Sequence, residues 1–275
     1  ILHNLLKGKI SIPIPTFSSY YEYCHNELEP VLYQLKKEDH YSLNLKDYSQ
    51  FIKNNSINNA VIINPNNPNG SYINRSEIIE FLDEHTDLDS IILDESFIHF
   101  AYENSNMMLE TLQSSIDKYK NLFIVKSMSK DFGIAGLRCG YVLMNDKNVS
   151  NFLNNGYLWN INGIAEYFFN LYGNEEFLLK YEDCRKKYIT ETLFFLNQLK
   201  ELKNINVLPS KANFVLVELL NGLKSEDVSL NLLINHGVYV RNCSDKVGLE
   251  GEYIRIAARS FDENQQIFNA LKEIK

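Results

Sequence analysis

The sequence predicts an α/β protein: a mostly parallel sheet with helices on both faces, followed by a smaller C-terminal α+β domain. Two observations carry this expectation. From Lys9 to Met144, short β-rich apolar runs alternate with helical patterns, as repeated βαβ units require. After about Asn160 the texture changes to one long amphipathic stretch and then to short strands interleaved with two helices. The 275 residues, 45% of them hydrophobic, are enough for a large and a small domain with a real core. The domains are expected at 1–160 and 161–275, with no Pro/Gly/Ser linker to make them independent.

The strands follow in order. Ile10 to Ile14, Ala60 to Ile63, Ser90 to Leu93, Leu122 to Lys126 and Gly140 to Met144 are nearly continuous in apolar residues, as strands buried on both faces are. Asn74-Arg75-Ser76-Glu77 has capping-box spacing before Ile78, Ile79, Phe81 and Leu82, so a helix is expected to start there and end near His85. Ile164 to Lys203 reads as amphipathic helix. Ile205 to Leu208, Phe214 to Val217, Val238 to Arg241 and Tyr253 to Ala257 read as the strands of the second domain.

A net charge of -8 argues against a nucleic-acid surface or an anionic membrane, because both call for clustered Lys and Arg. Small molecules are the expected partners. Cys24, Cys139, Cys184 and Cys243 lie far apart and form no C-x-x-C pair, which fits reduced thiols in a cytoplasmic protein. No apolar run approaches the ~20 residues that span a bilayer, and no signal-peptide pattern opens the chain. The first residue is Ile1, and Ile1 to Lys7 reads like the back half of an apolar helix, so the chain looks cut at its N-terminus.

In an open α/β sheet, ligands bind beyond the carboxyl ends of the strands. Three strands end in unusual residues: Asn64-Pro65-Asn66-Asn67-Pro68-Asn69-Gly70, Asp94-Glu95-Ser96-Phe97, and Ser127-Met128-Ser129-Lys130 followed by Gly133, Gly136 and Arg138. Singly, each has a plain structural use, as a turn, a helix cap or a solvated lysine. Together they put amides, a carboxylate, hydroxyls, a lysine and an arginine at one sheet edge, a site with both charge signs. The six histidines show no metal-ligand spacing, no G-x-x-x-x-G-K-[ST] or H-E-x-x-H occurs, and no metal is expected. Cys24 and His25 are neighbours in sequence only, which does not make a thiol nucleophile. His99 reads as an ordinary polar residue near a strand end or a neighbour of the site.

Ser127 to Tyr141 resembles the lysine motif of class I/II, fold-type-I aminotransferases. Asn64 to Gly70 is similar to that family's N-P-N-N-P-T-G loop, with Asn69 where Thr is usual, and Asp94 to Phe97 is similar to its D-E-A-Y/F motif. The three motifs agree in order and spacing, and the likeness extends from about Lys9 to Lys275. It implies pyridoxal 5'-phosphate as cofactor, bound in the large domain, with Lys130 carrying it as a Schiff base and moving the proton. Asp94 would pair with the pyridine nitrogen and Asn67 would donate to the ring's phenolic oxygen, with Phe97 where many relatives have Tyr. Phe17 would stack on the ring, and Ser127, Ser129 and Arg138 would hold the phosphate. Arg255 would take the substrate carboxylate, and Arg241 a substrate phosphate; Arg259 adds a positive group nearby.

The same resemblance implies a homodimer, and a phosphate loop and substrate arm lying before the position of Ile1. The expected activity is aminotransfer from an amino acid or a phosphorylated amine such as histidinol phosphate to a 2-oxo acid, 2-oxoglutarate first. The alternative is decarboxylation of a phosphorylated amino acid, as in threonine-phosphate decarboxylases, whose Phe in the Asp94 motif and Arg255-to-Arg259 segment look closer. A catalytically idle domain, or a fragment of a larger multifunctional chain, is a third reading.

Overall fold

The computed structural model describes residues 5–25, 27–154 and 160–274. The N-terminal helix expected over Ile1 to Lys7 therefore lies largely outside the described residues.

Six strands form the first sheet: β1 (Gly8–Ile14), β2 (Leu28–Gln34), β3 (Asn59–Ile63), β4 (Ser90–Asp94), β5 (Leu122–Ser127) and β6 (Gly140–Leu143), ordered β2-β1-β3-β4-β5-β6. All pairs are parallel except β5 with β6. The sheet class agrees with the expectation. Every residue of β3 and β4 is buried, the burial that their continuous apolar sequence requires. Ala60, Ile62, Ile91 and Leu93 pack on one face against Tyr48 and Ile52 of α2 (Leu45–Asn54) and Ile78, Phe81 and Leu82 of α3 (Arg75–Glu84). Val61, Ile63 and Ile92 point to the other face, against Leu6 and Tyr20, the latter on the short helix α1 (Ser19–Glu22). Helix α3 starts at the expected cap, Asn74, with the Asn74–Glu77 box formed.

One strand was not expected. β2 alternates in burial and carries Pro30, which an interior strand cannot accommodate, and it lies at the sheet edge.

The chain continues through α4 (Asp146–Asn154), α5 (Gly163–Tyr172) and α6 (Glu175–Leu199). The single amphipathic stretch expected over Ile164 to Lys203 is thus two helices, because Asn174 caps the second with its side chain on the Phe177 N–H. The second sheet is antiparallel, ordered β7-β8-β10-β9, from β7 (Ile205–Val207), β8 (Phe214–Leu219), β9 (Arg241–Asn242) and β10 (Tyr253–Ala257). α7 (Ser225–His236) and α8 (Phe261–Glu273) complete this part, with Leu232, Ile254, Ile256, Ile267 and Leu271 in its core. The strand expected over Val238 to Arg241 shrinks to Arg241–Asn242, since Val238 and Val240 pack into that core instead of joining the ladder. Among the described residues, no helix is long and apolar enough to cross a membrane.

Candidate active site

The loop after β3 is a buried lattice of amides. Asn64 exchanges two hydrogen bonds with the Ile73 backbone, donating through Nδ2 at 2.9 Å and accepting through Oδ1 at 2.8 Å. Asn66 accepts from Thr16 Oγ1 at 2.9 Å and donates to Pro15 O and Asn69 Oδ1, which ties the ends of β1 and β3 together. Asn69, standing where the resemblance has Thr, donates to His40 O and Tyr41 O. Both of those residues have positive φ, 54° and 56°, so the longer amide braces a backbone conformation that L-residues rarely adopt. Gly70 also has positive φ, and a Cβ there would lie 2.0 Å from Ser210 Oγ, so only glycine lets the loop meet the C-terminal part. Asn67 differs from its neighbours because its Oδ1 accepts from Arg255 Nη1. An arginine can only donate, so this contact fixes the amide's orientation and leaves Nδ2 as a donor with no acceptor among the described residues.

Asp94 ends β4, buried, with its two oxygens separately held. Oδ2 accepts from Tyr20 Oη at 2.7 Å and Oδ1 from the Ser96 N–H at 2.8 Å. Burial, and then the nearby carboxylate, push the Tyr20 phenol well above its ordinary pKa, so it remains a donor. Phe17 is 46% exposed and meets the Tyr20 ring edge-on, at 6.5 Å between centroids.

The turn after β5 is more open. Lys130 is exposed as a whole residue, but its amine sits 6.0 Å from the Phe97 ring. Desolvation lowers its pKa, and Arg255 and Arg138 lower it further; no carboxylate offsets them. The Ser129 N–H donates to Ser127 Oγ at 3.3 Å. Arg138, exposed and at φ 53°, bonds the Ala135 carbonyl of its own turn, at 2.8 Å. Arg255 lies 4.8 Å over the Phe214 ring. Its register partner on β9, Arg241, is held by Asp245 at 2.6 Å, and Arg259 is paired with Glu263 at 3.0 Å. Lys130, Asn67, Arg255 and Arg138 are thus brought together, while Arg241 and Arg259 sit at the rim with acidic partners. A cleft of about 910 Å³ opens at Lys130, with Tyr188, Asn213 and Arg259 on its walls.

A family model for class I and II aminotransferases matches residues 3–272. The chain belongs to this family. It is 46% identical, over 100% of its length and 70% of the relative's, to an L-serine phosphate decarboxylase of Campylobacter jejuni. A solved decarboxylase structure from Sulfurospirillum multivorans superposes with a TM-score of 0.93 at 46% identity, covering 97% of this chain and 75% of that one. A histidinol-phosphate aminotransferase of Methanococcus aeolicus is 31% identical over 97% of this chain and 70% of its own. The expected aminotransferase activity is therefore corrected: decarboxylases are the nearer of these relatives by a wide margin. The 2-oxo acid acceptor goes with it.

The family's cofactor is pyridoxal 5'-phosphate, and the donor set fits it. Among the described residues, Lys130, Arg138 and Arg255 have no carboxylate partner, which leaves positive charge suited to anionic groups, and Asp94 adds a buried carboxylate at the end of β4. Among the described residues, no cluster of His, Cys, Asp or Glu is arranged to hold a metal ion.

Three features of the site were missed in the sequence. Tyr20 gave no local signal, since its partner is 74 residues away. Ser96, in place of the motif's Ala, accepts from the Ser127 N–H through its hydroxyl, at 3.3 Å. Lys126 and Asp131 form a fully buried ion pair beneath the lysine turn, and His99 is not a peripheral residue but lies 3.6 Å from Asp131. A lysine inside a strand with both faces covered was the available signal for that pair.

Proposed function

We propose that this chain is the core of a pyridoxal-phosphate-dependent decarboxylase of a phosphorylated amino acid, with O-phospho-L-serine as substrate. The observation that carries the reading is the 46% identity to an L-serine phosphate decarboxylase across the whole chain. The surplus of arginines at the site supports it, because such a substrate brings two anionic groups, a carboxylate and a phosphate.

When bound, the cofactor supplies a sink for the electron pair released as the bond between the α-carbon and the carboxylate breaks. Asp94, fixed by Tyr20 and Ser96, would be the carboxylate that pairs with the cofactor's ring nitrogen. Asn67 offers Nδ2 to an oxygen while Arg255 steadies its Oδ1. Lys130, with its pKa lowered, would tether the cofactor and hold the proton that is returned to the α-carbon. Arg255 orients the substrate carboxylate, Arg138 with Ser127 and Ser129 the cofactor phosphate, and Phe17 covers the ring. Arg241 takes the substrate phosphate by exchanging it for Asp245.

We assign 1–160 to the cofactor and 161–275 to the smaller domain. The free cysteines fit a reducing compartment, the cytoplasm, and exposed Ile164 and Tyr167, 68% and 70% accessible on α5, fit burial in a homodimer.

The test supplies O-phospho-L-serine and cofactor, and follows CO2 and O-phosphoethanolamine; O-phospho-L-threonine, and histidinol phosphate with 2-oxoglutarate, run in parallel. CO2 from phosphoserine without any 2-oxo acid is expected. Glutamate from 2-oxoglutarate with no CO2 sinks the reading, and so does protein that stays colourless with cofactor and traps none of it with borohydride.

A further inference from the structure

A lysine ammonium buried in a sheet is costly unless every donor is met. Lys126 is 1% exposed, and its three N–H donors find three acceptors: Ser96 O at 3.4 Å, Ser127 O at 3.2 Å and the Asp131 carboxylate. These acceptors belong to different parts of the site. Ser96 lies in the turn that fixes Asp94, and its hydroxyl also receives the Ser127 N–H. Asp131 directly follows Lys130. Asp131 is itself enclosed, beside His99 at 3.6 Å, and its Oδ1 has no partner among the described residues. The antiparallel strand β6 closes over this point at Gly140, where a Cβ would lie 2.6 Å from Lys126 O.

We propose that Lys126 is a positioning residue: its ammonium ties the turn after Asp94 to the turn that carries Lys130, and so sets the spacing of those two groups. The inference rests on the assignment of Lys130 and Asp94 above. A plain buried ion pair would need only Asp131. The Ser96 carbonyl, in the turn after Asp94, makes the contact a cross-brace to the turn that carries Asp131 and Lys130, and the neighbouring Ser127 carbonyl completes the ammonium's acceptors. Burial pushes the Asp131 carboxyl up, to about 6, against the opposing pull of Lys126, so removing the lysine alone leaves Asp131 to take up a proton.

The experiment compares cofactor-loaded wild type with Lys126→Met, Lys126→Met/Asp131→Leu and Lys130→Ala. The single variant loses thermal stability because a buried carboxyl is stranded. The double variant recovers most of it, as apolar replacements of buried pairs do. The brace predicts that the double variant nevertheless keeps a kcat lowered by on the order of tenfold to a hundredfold, with KM little changed. The pH midpoint of the visible band should also be displaced. A double variant with wild-type kcat and wild-type pH midpoint overturns the inference. Should neither variant fold, hydrogen exchange on the wild type decides. The Ser96, Ser127 and Ser129 amides open together if the brace holds, and turns that open independently overturn it. Lys130→Ala that still shows the visible band and still traps cofactor overturns the site assignment itself, a separate failure.

Discussion

The loop from Asn64 to Gly70 and the turn from Lys130 to Arg138 lie at the same sheet edge and are built in opposite ways. In the first, Asn64, Asn66 and Asn69 are buried and the side chain of each makes two or more hydrogen bonds. In the second, Lys130 and Arg138 are exposed, and a Cβ at Gly133 or Gly136 would meet nothing within 4 Å. One half of the site is preorganised by the protein's own hydrogen bonds. The other is an open, charged rim. The first half offers fixed geometry and the second an amine whose pKa is lowered, by desolvation first and then by Arg255 and Arg138.

The largest test exchanges one residue from each half. Asp94→Ala should lower activity on the order of a hundredfold to a thousandfold. It should also cost about 1–3 kcal/mol, because the Tyr20 hydroxyl and the Ser96 N–H lose their acceptor in a buried place. Lys130→Ala should remove the lysine-linked visible band and turnover, yet leave stability within about 0.5 kcal/mol. Urea unfolding beside CO2 assays reads both quantities; a Lys130→Ala protein as destabilised as Asp94→Ala would erase the contrast. Next in size, Asn69→Thr should cost about 2 kcal/mol through the lost donors to His40 O and Tyr41 O, with kcat kept at low temperature. An unchanged urea midpoint would show that the amide does not brace that turn.

The preorganised half was the more legible in the sequence, for a physical reason. β1 and β3 to β5 announce themselves because burial on both faces demands continuous apolar runs, and the Asn/Pro/Gly loop because few residues make such turns. β6 has an apolar run too, but it lies at the sheet edge and is only part-buried, not buried on both faces as expected. β2 was hidden by its edge position, where Pro30 and alternating burial are allowed. Lys126 was hidden because a lysine is read as solvated until its acceptors, supplied by separate turns, are seen around it. The bond broken was not legible at all. The residues proposed for the site, Lys130, Asp94 and Asn67, fit both reactions, and what favours decarboxylation is the greater likeness to a decarboxylase along the whole chain.

If the lysine turn is ordered by what it binds, pyridoxal phosphate should slow hydrogen exchange there and spare the other loop. At a cofactor concentration of about one hundred times Kd, amides between Ser129 and Arg138 should gain up to about a hundredfold protection, and those from Asn66 to Gly70 almost none. Equal protection in both segments would mean that the amide loop is not preformed.

The smallest effect lies farther out, in the second sheet, where Glu252 plays a locked role without any ligand. It accepts from the Ser225 N–H at 2.8 Å and Ser225 Oγ at 2.7 Å, capping α7, and these bonds lower its pKa to about 2. A carboxyl whose folded pKa is depressed contributes stability that is present above its unfolded value of about 4.3 and lost as pH falls toward 2. The gap in urea midpoint between wild type and Glu252→Gln should therefore be widest near neutrality and close on acidification from about pH 4.5 downward. A gap that persists at pH 2.5 would assign the contribution to shape rather than charge.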